Sequence, residues 1–322
     1  MEYTHLGRSG LSVSRLCLGT MNFGPETDEA TSHAIMDRAH QEGVNFFDTA
    51  NVYGFAAGKG RTEEIIGTWF AQGGQRREKT VLATKVYGSM TDWPNDTFLS
   101  ARNLVRSVDA SLQRLQTDWI DLYQFHHVDL RTPWEEVWQA CETLVAQGKV
   151  LYVGSSNHAG WQLAAANEAA RSRHFLGLVS EQSIYNLLTR EIELEVIPAA
   201  QHYGIGIIPW SPLQQGLLAG VLAKQEGSRR HNERAKAKIE QLRPQLQRYE
   251  DLCAEWGAAP ADVGLAWLLH QPAVTAPIIG PRTMEQFTGA LGALDVTLGT
   301  EQLAALDELF PGYRTAPEHY AW

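Results

Sequence analysis

The sequence predicts an α/β fold of the (β/α)8 TIM-barrel class, with an N-terminal β-hairpin before the barrel and helices and a tail after it. Short runs rich in β-branched and aromatic residues alternate with amphipathic helical runs, which is typical of parallel βα units. Eight strand-like runs occur, and eight such units close a barrel. The length of 322 residues suits one barrel with long loops, so we predict a single domain over residues 1–322.

Each element can be located in order along the chain. The hairpin is predicted over Tyr3–Arg15, where apolar positions flank a Gly-rich turn. The strands are predicted at Leu16–Met21, Asn45–Ala50, Val81–Val86, Asp121–Phe125, Val150–Ser155, Val179–Gln182, Gly206–Trp210 and Thr275–Ile279. The helices are predicted at Glu29–Glu42, Thr62–Phe70, Ser100–Leu115, Trp134–Ala146, Ala159–Arg171, Glu191–Tyr203, Pro244–Trp256, Pro260–Leu269, Met284–Leu294 and Thr300–Leu309. A doubly wound open sheet is the alternative, but it usually has fewer strands and a nucleotide fingerprint after the first.

One charged insertion, Lys224–Lys238, is too long for a plain barrel loop. Its basic residues are Arg229, Arg230, Arg234, Lys236 and Lys238. Two interpretations stay open: a lid near the barrel, or the solvent-exposed start of a helix.

Composition and charge exclude several classes of protein. The hydrophobic fraction of 44% and the charged fraction of 20% are normal for a globular protein. The net charge of −10 disfavours a nucleic-acid partner, but it leaves room for a local phosphate pocket. Cys17, Cys141 and Cys253 show neither disulfide nor zinc spacing. With no signal-peptide pattern and no long apolar run, we expect a cytoplasmic protein without a membrane partner. The oligomeric state is not indicated.

Three familiar motifs fail on inspection. The segment Gly54–Gly60 resembles a phosphate-binding loop, but its spacer is one residue short and Lys59 is followed by glycine. No G-x-G-x-x-G opens a helix. His126, His127 and Asp129 suggest a metal site, but neighbouring residues on a strand face opposite ways. We therefore expect no metal.

Polar residues at the predicted strand ends form a more convincing group, because catalytic groups of βα barrels lie at the carboxyl ends of the strands. Asp48 and Tyr53 follow the second strand, Lys85 ends the third and His126 follows the fourth. Each residue alone has a structural explanation, such as a helix cap or a packing ring. Together they place an acid, a phenol, an ammonium and an imidazole on one rim.

This group suits proton donation to a carbonyl oxygen. A tyrosine has a pKa of about 10, and a nearby ammonium ion such as Lys85 lowers it. A carboxylate such as Asp48 keeps the lysine charged, and His126 can orient the carbonyl. None of these side chains supplies an electron pair, so a reduction needs a cofactor that carries hydride.

The motifs around these residues carry a family resemblance. They are Leu18-Gly19-Thr20-Met21, the run Asn45–Gly54, Ala83-Thr84-Lys85, Asp121–His126, Val153–Asn157, Gln182–Asn186, Pro209–Leu213 and Ile279–Thr283. Over essentially its whole length, the sequence resembles the aldo-keto reductases. The D-x-x-x-x-Y pair formed by Asp48 and Tyr53, with the lysine and histidine downstream, is highly specific.

The resemblance implies roles for individual residues. Tyr53 would donate the proton, Lys85 would lower its pKa, Asp48 would pair with Lys85, and His126 would orient the substrate. Contacts to nicotinamide are implied at Ser156, Asn157, Gln182 and Trp210. Contacts to the rest of the cofactor are implied at Gly19, Thr20, Met21, Ser211, Pro212, Leu213, Gln215, Gly216, Leu217, Gly280, Arg282, Thr283 and Gln286. Arg282 suits the adenosine 2′-phosphate, which favours NADPH over NADH. Ala290 replaces an asparagine that contacts adenine in many relatives.

The substrate is less well defined by the sequence. Phe23, Phe55, Trp93 and His127 are candidate pocket walls, together with the C-terminal rings of Tyr313, Tyr320 and Trp322. The alternative is that these rings only cover the barrel surface. We predict NADPH-dependent reduction of an aldehyde or ketone, such as a sugar or aromatic carbonyl. A nucleotide-sensing, non-catalytic barrel subunit and a Schiff-base aldolase using Lys85 are the alternatives.

Overall fold

The computed structural model describes residues 1–223 and 233–321 of the chain. A hairpin of β1 (Tyr3–His5) and β2 (Ser12–Ser14) comes first. Eight parallel strands follow in one sheet: β3 (Cys17–Gly19), β4 (Phe46–Asp48), β5 (Val81–Val86), β6 (Ile120–Phe125), β7 (Val150–Ser156), β8 (Leu178–Gln182), β9 (Gly206–Ile207) and β10 (Ile278–Ile279). Their order in space is β10-β3-β4-β5-β6-β7-β8-β9.

Backbone hydrogen bonds between β9 and the chain entering β10 close this sheet. The Ile207 N–H donates to the Ala273 carbonyl at 3.0 Å, and the Ile207 carbonyl accepts from the Thr275 N–H at 2.8 Å. The Ile278 N–H donates to the Pro209 carbonyl at 2.8 Å. The predicted (β/α)8 barrel is therefore confirmed.

The N-terminal hairpin covers one end of the barrel interior. Leu6 and Val13 are fully buried and pack with interior residues such as Cys17, Phe46 and Leu122. Because this apolar plug fills the amino-terminal end, the carboxyl ends of the strands form the open end, which we call the mouth. The predicted hairpin is also confirmed.

Eleven described helices accompany the strands. They are α1 (Glu29–Gln41), α2 (Arg61–Phe70), α3 (Ala101–Leu115), α4 (Trp134–Ala146), α5 (Gly160–Ser172), α6 (Val196–Tyr203), α7 (Glu233–Glu255), α8 (Pro260–His270), α9 (Met284–Leu291), α10 (Thr300–Leu309) and α11 (Ala316–Tyr320). Asp28, Ser100 and Thr283 cap the starts of α1, α3 and α9 by accepting a backbone N–H. Among the described residues, no helix is both long and apolar enough to cross a bilayer.

Several predicted boundaries are wrong. The helix predicted at Glu191–Tyr203 is a short 3-10 turn at Glu191–Glu193 followed by α6. In this turn Glu193 accepts hydrogen bonds from Tyr185 and Arg190. A pattern of helical periodicity in the sequence does not reveal such side-chain contacts.

The predicted helix start at Pro244 is also wrong, because α7 begins at Glu233 and Pro244 lies inside it. The first part of α7 is the end of the charged insertion Lys224–Lys238, so the helix-start interpretation holds for residues 233–238. Residues 224–232, which include Arg229 and Arg230, lie outside the described residues. The lid interpretation concerns these residues and stays a prediction.

Four strands are shorter than predicted, because β3 spans only Cys17–Gly19, β4 ends at Asp48, β9 ends at Ile207 and β10 begins at Ile278. Pro209 and Pro277 flank two of these strands. Since proline has no N–H to donate, it interrupts the hydrogen-bond ladder at both places.

Candidate active site

Three of the predicted site residues meet at the mouth. Lys85, at the end of β5, is fully buried, and Asp48, at the end of β4, is 3% exposed. The Lys85 Nζ donates to Asp48 Oδ2 at 2.5 Å and to the Thr49 carbonyl at 2.8 Å. It also donates to the Tyr53 Oη at 3.3 Å. A continuous polar chain therefore runs from a buried carboxylate to a partly exposed phenol.

The loop after β4 aims Tyr53 into this chain. The Gly60 N–H donates to the Tyr53 carbonyl at 3.0 Å, which turns the loop back on itself. Gly54 has a φ of 133°, and a side chain there would collide with the Gly58 carbonyl. This tight turn explains the glycines of the segment Gly54–Gly60, which resembles a phosphate-binding loop in sequence.

Two glutamines complete the surroundings of Asp48. The Nε2 atoms of Gln124 and Gln182 both donate to Asp48 Oδ1 at 2.9 Å. Gln182 Nε2 also donates to Gln124 Oε1 at 3.1 Å. We call Asp48, Lys85, Gln124 and Gln182 the floor of the site.

Gln124 was not among the sequence candidates. It is fully buried on β6, two residues after Leu122, whose side chain lies in the barrel interior. Residues two apart on a strand face the same side of the sheet. A polar residue two positions after an apolar residue that faces the barrel interior is therefore the signal that would have identified Gln124.

His126 faces Tyr53 across the mouth. Its ring meets the Tyr53 ring edge-on, with 5.9 Å between the centroids. The rings of His126 and His127 stack at 5.1 Å and are parallel within 5°. The expectation that they face opposite ways is wrong, because β6 ends at Phe125 and strand alternation stops there. Within residues 1–223 and 233–321, no group of three or more potential ligands is arranged to hold a metal ion.

Burial and charge together set the ionisation of these groups. Burial raises the pKa of Tyr53, the Lys85 ammonium opposes the rise, and Asp48 adds to it. The expected lowering by Lys85 is present, but burial outweighs it, so Tyr53 holds its proton at neutral pH. Burial lowers the pKa of Lys85, yet attraction to Asp48 and Tyr53 outweighs burial and raises it overall. Burial lowers the pKa of His126 to about 3, and Lys85 and His127 contribute. His126 is therefore a neutral imidazole.

The predicted nicotinamide contacts lie beside the floor. The Ser156 hydroxyl donates to the Gln182 carbonyl at 2.8 Å. Asn157 has a left-handed φ of 60°, and its Nδ2 donates to the His126 carbonyl at 3.2 Å. The Trp210 Nε1 donates to Asn157 Oδ1 at 3.2 Å. These bonds hold an exposed amide and a partly exposed indole next to the catalytic candidates.

The loop that follows Trp210 has unusual backbone geometry. Ser211, Gln214 and Gln215 all have left-handed φ values, between 46° and 55°. Asn186 holds the loop by donating from Nδ2 to the Ser211 carbonyl at 3.0 Å. The other predicted members, Pro212, Leu213, Gly216 and Leu217, are partly buried.

The remaining cofactor candidates lie after β3 and β10. Gly19 and Thr20 are buried and Met21 is exposed, and Thr20 Oγ1 donates to the Asp48 carbonyl at 2.9 Å. After β10, Gly280 is exposed, Thr283 caps α9, and Gln286 Oε1 accepts from the Arg282 N–H at 2.8 Å. The Arg282 guanidinium pairs with Glu26 at 2.7 Å.

The aromatic candidates for the substrate pocket separate into two groups. Phe55 is 60% exposed beside Tyr53, with ring centroids 6.3 Å apart, and Trp93 is 74% exposed after β5. His127, also exposed, stacks on His126. Phe23 is a correction, because it is fully buried in the core with Ile35 and Ile65 and does not reach the mouth.

The C-terminal rings of Tyr313 and Tyr320 are exposed. Tyr313 is 47% exposed and its N–H donates to Glu193 Oε2 at 2.9 Å, which ties the tail to the loop after β8. Tyr320 is 78% exposed. Trp322 lies outside the described residues.

The donors and acceptors that remain fit a nicotinamide and a carbonyl. Gln182 Oε1 accepts no hydrogen bond from residues 1–223 or 233–321, so it is available to a carboxamide N–H. Within the same residues, neither ring nitrogen of His126 has a hydrogen-bond partner. The Trp210 indole offers a flat surface on which an aromatic ring can stack. These groups are of the kind that would bind the carboxamide and ring of a nicotinamide.

The chain is similar to known proteins over nearly its whole length. A model of the Aldo/keto reductase family matches residues 15–310. The uncharacterized oxidoreductase YrpG of Bacillus subtilis (strain 168) is 55% identical, with 100% of both chains covered. A versiconal hemiacetal acetate reductase of Aspergillus parasiticus is 32% identical, with 96% of both chains covered. A probable voltage-gated potassium channel subunit beta of Oryza sativa subsp. japonica is 34% identical, with 92% of both chains covered.

Proposed function

The chain belongs to the aldo/keto reductase family, and from that premise we propose that it reduces an aldehyde or ketone to the alcohol with NADPH. The observation that carries the proposal is the hydrogen-bonded chain from Asp48 through Lys85 to Tyr53. A bound nicotinamide would supply the hydride. The residues of the chain then have to hold the carbonyl and deliver one proton to its oxygen.

Tyr53 is the proposed proton donor. Its phenol faces the mouth, and burial keeps its pKa high, so the proton is present when a carbonyl arrives. As the carbonyl oxygen takes the proton, the phenolate that forms lies beside the Lys85 ammonium, 3.3 Å away. Asp48 holds that ammonium in place and balances its charge. Preorganised charge of this kind is worth most in a buried site.

His126 is proposed to orient the substrate. With a pKa of about 3 it is neutral at physiological pH, so it donates a single N–H to the carbonyl oxygen. It does not compete with Tyr53 as the acid. We propose that the exposed rings of Phe55 and Trp93 contact the apolar or aromatic body of the substrate.

Two observations bear on the alternatives. A Schiff-base aldolase needs a neutral lysine, and attraction to Asp48 raises the pKa of Lys85, so we disfavour it. The similarity to a probable potassium channel subunit beta keeps a non-catalytic barrel as a second candidate. The assembled Asp48, Lys85 and Tyr53 favour catalysis. The single domain, the cytoplasmic location and the lack of nucleic-acid or membrane partners remain predictions from the sequence.

The test is NADPH oxidation with aromatic aldehydes, diketones and keto sugars, for wild type and for Tyr53→Phe. We expect turnover by wild type and a loss of about 10²–10⁴-fold in kcat for the variant, with unchanged NADPH binding. Tyr203→Phe, on α6, is the matched control because, among the described residues, its hydroxyl bonds only the surface residue Glu168, and it should behave like wild type. Absence of wild-type turnover with every carbonyl, or full activity of Tyr53→Phe, would refute the proposal.

A further inference from the structure

Arg282, the residue that suits a 2′-phosphate, is held by an acidic residue. Its Nη1 lies 2.7 Å from the Glu26 Oε2, and the two side chains are 26% and 39% exposed. Glu26 belongs to the loop between β3 and α1, whereas Arg282 follows β10. The pairing therefore joins two loops at the mouth that are far apart in sequence but neighbours in the barrel.

The backbone around Glu26 is fixed to the same loop by two further bonds. The Thr27 Oγ1 donates to the Arg282 carbonyl at 2.9 Å, and the Asn22 Nδ2 donates to the Gly280 carbonyl at 2.9 Å. The N–H groups of Glu26 and Thr27 both donate to the Asn22 carbonyl at 3.0 Å, forming a tight turn. The Glu26 carboxylate is thus anchored beside the guanidinium by its main chain.

We propose that Glu26 is a specificity-determining residue that reduces the preference for a 2′-phosphorylated adenosine. The inference rests on the proposed function, because it assumes that Arg282 receives the adenosine end of the cofactor. A 2′-phosphate and the Glu26 carboxylate are both anions that compete for one guanidinium. The phosphate binds only by displacing Glu26 or by lying close to its negative charge.

An unphosphorylated ribose meets a different environment. Its 2′-hydroxyl carries a donor, and a carboxylate accepts that hydrogen bond, as acidic residues do in other dinucleotide sites. Glu26 therefore opposes NADPH and supports NADH at the same position. Because the pair is partly exposed, and such pairs are weak, the opposition is moderate and the protein retains use of both cofactors.

The test measures dissociation constants for NADPH, NADH, 2′,5′-ADP and 5′-ADP by tryptophan fluorescence or calorimetry. Glu26→Gln should tighten NADPH relative to NADH by about 3- to 10-fold. The same shift should appear for 2′,5′-ADP relative to 5′-ADP, which assigns it to the phosphate alone. Glu26→Ala should shift the ratios in the same direction, which covers the case in which the new amide makes its own contacts.

Glu142→Gln is the matched control. Glu142 pairs with Arg173 at 2.7 Å, both side chains are 32% exposed, and the variant changes the net charge by the same amount. It lies on α4, which follows β6, and β6 is across the barrel from β10 in the strand order. Its ratios should stay at the wild-type value.

The possible failures are distinguishable. If wild type binds neither NADPH nor NADH, the proposed function fails. If wild type binds them and both Glu26 variants leave the ratios within about 2-fold of wild type, the role of Glu26 is refuted while the proposed function stands. A shift that Glu142→Gln reproduces also refutes the role of Glu26, because net charge would then explain it.

Discussion

The floor and the Glu26–Arg282 pair lie at the same mouth but differ in their physical character. In the floor, Asp48 and Lys85 form an ion pair whose side chains are 4% and 0% exposed, and two glutamines bind the same carboxylate. At the Glu26–Arg282 pair the exposed fractions are 39% and 26%. The same chemical interaction, a cation on a carboxylate, therefore occurs in two dielectric environments.

This difference in burial determines how well each ion pair tolerates substitution. Removing one partner of a buried ion pair leaves an uncompensated charge, which is strongly destabilising. Removing one partner of a partly exposed pair changes little, because water replaces it. We infer that the floor tolerates almost no substitution, whereas the cofactor preference and substrate wall can be altered without loss of the fold.

The largest effect is expected when Lys85 is replaced by methionine. Asp48 would remain buried without its cation, so the free energy of unfolding should fall by about 3–5 kcal/mol, and carbonyl reduction should be lost. Urea denaturation at neutral pH measures the first quantity. Lys149→Met is the control, because Lys149 pairs with Asp109 at 2.7 Å with both side chains at least 35% exposed. It should cost less than about 1 kcal/mol. An equal loss of unfolding free energy in the two variants would contradict the difference that we infer between buried and exposed ion pairs.

A smaller effect is expected for Gln124→Leu. The substitution removes one donor to Asp48 and the acceptor for Gln182. We expect a loss of about 1–3 kcal/mol in unfolding free energy and a lower kcat, since Gln182 is no longer held in place. Gln247→Leu removes a similar bond to Asp251, on the exposed face of α7, and should cost less than about 0.5 kcal/mol. A Gln124→Leu protein as stable and active as wild type would contradict the role of the floor.

The third prediction concerns pH and His126. The unfolded chain binds a proton at this residue below about pH 6.5, but the folded imidazole does so only near a pKa of about 3. Between these values the unfolded state holds more protons, so stability falls as the pH falls. From pH 7 to pH 4.5, wild type should lose about 2 kcal/mol more than His126→Asn. Identical losses in denaturation experiments at the two pH values would show that His126 is not desolvated.

The smallest effect is expected at the exposed rings. Phe55→Ala should raise KM for a bulky aromatic aldehyde by about 3- to 10-fold and leave NADPH binding unchanged, because Phe55 is beside Tyr53 and 60% exposed. Its unfolding free energy should change by less than about 0.5 kcal/mol. Steady-state kinetics with a small and a bulky aldehyde would test this, since only the bulky one should respond. Equal KM changes for both would place Phe55 outside the substrate wall.

Sequence reasoning worked best where position along a strand decides the outcome. Asp48, Lys85 and His126 were identifiable because barrel strands end at a common rim, and Tyr53 because it follows Asp48 at short range. The alternation of strands and helices likewise sufficed to predict the barrel, and the Gly-rich turn between apolar positions sufficed to predict the hairpin.

Long-range contacts explain what was missed. Gln124 matters because of bonds to Asp48 and Gln182, which lie on other strands. Phe23 follows a strand end in the sequence, as residues at the mouth do. Its ring, however, packs in the core against residues of α1. The pairing of Glu26 with Arg282 spans 256 residues, and no local pattern indicates it.

The most direct measurement of the central claim is transfer of label from the cofactor. Wild-type protein is incubated with an aromatic aldehyde and with NADPH in which both hydrogens on the reactive nicotinamide carbon are deuterium. The alcohol is then analysed by mass spectrometry and NMR. We predict one deuterium on the carbinol carbon for wild type, and loss of that product for Tyr53→Phe while NADPH still binds. An alcohol without deuterium, or labelled alcohol formed by Tyr53→Phe at the wild-type rate, would contradict hydride transfer coupled to proton donation from Tyr53.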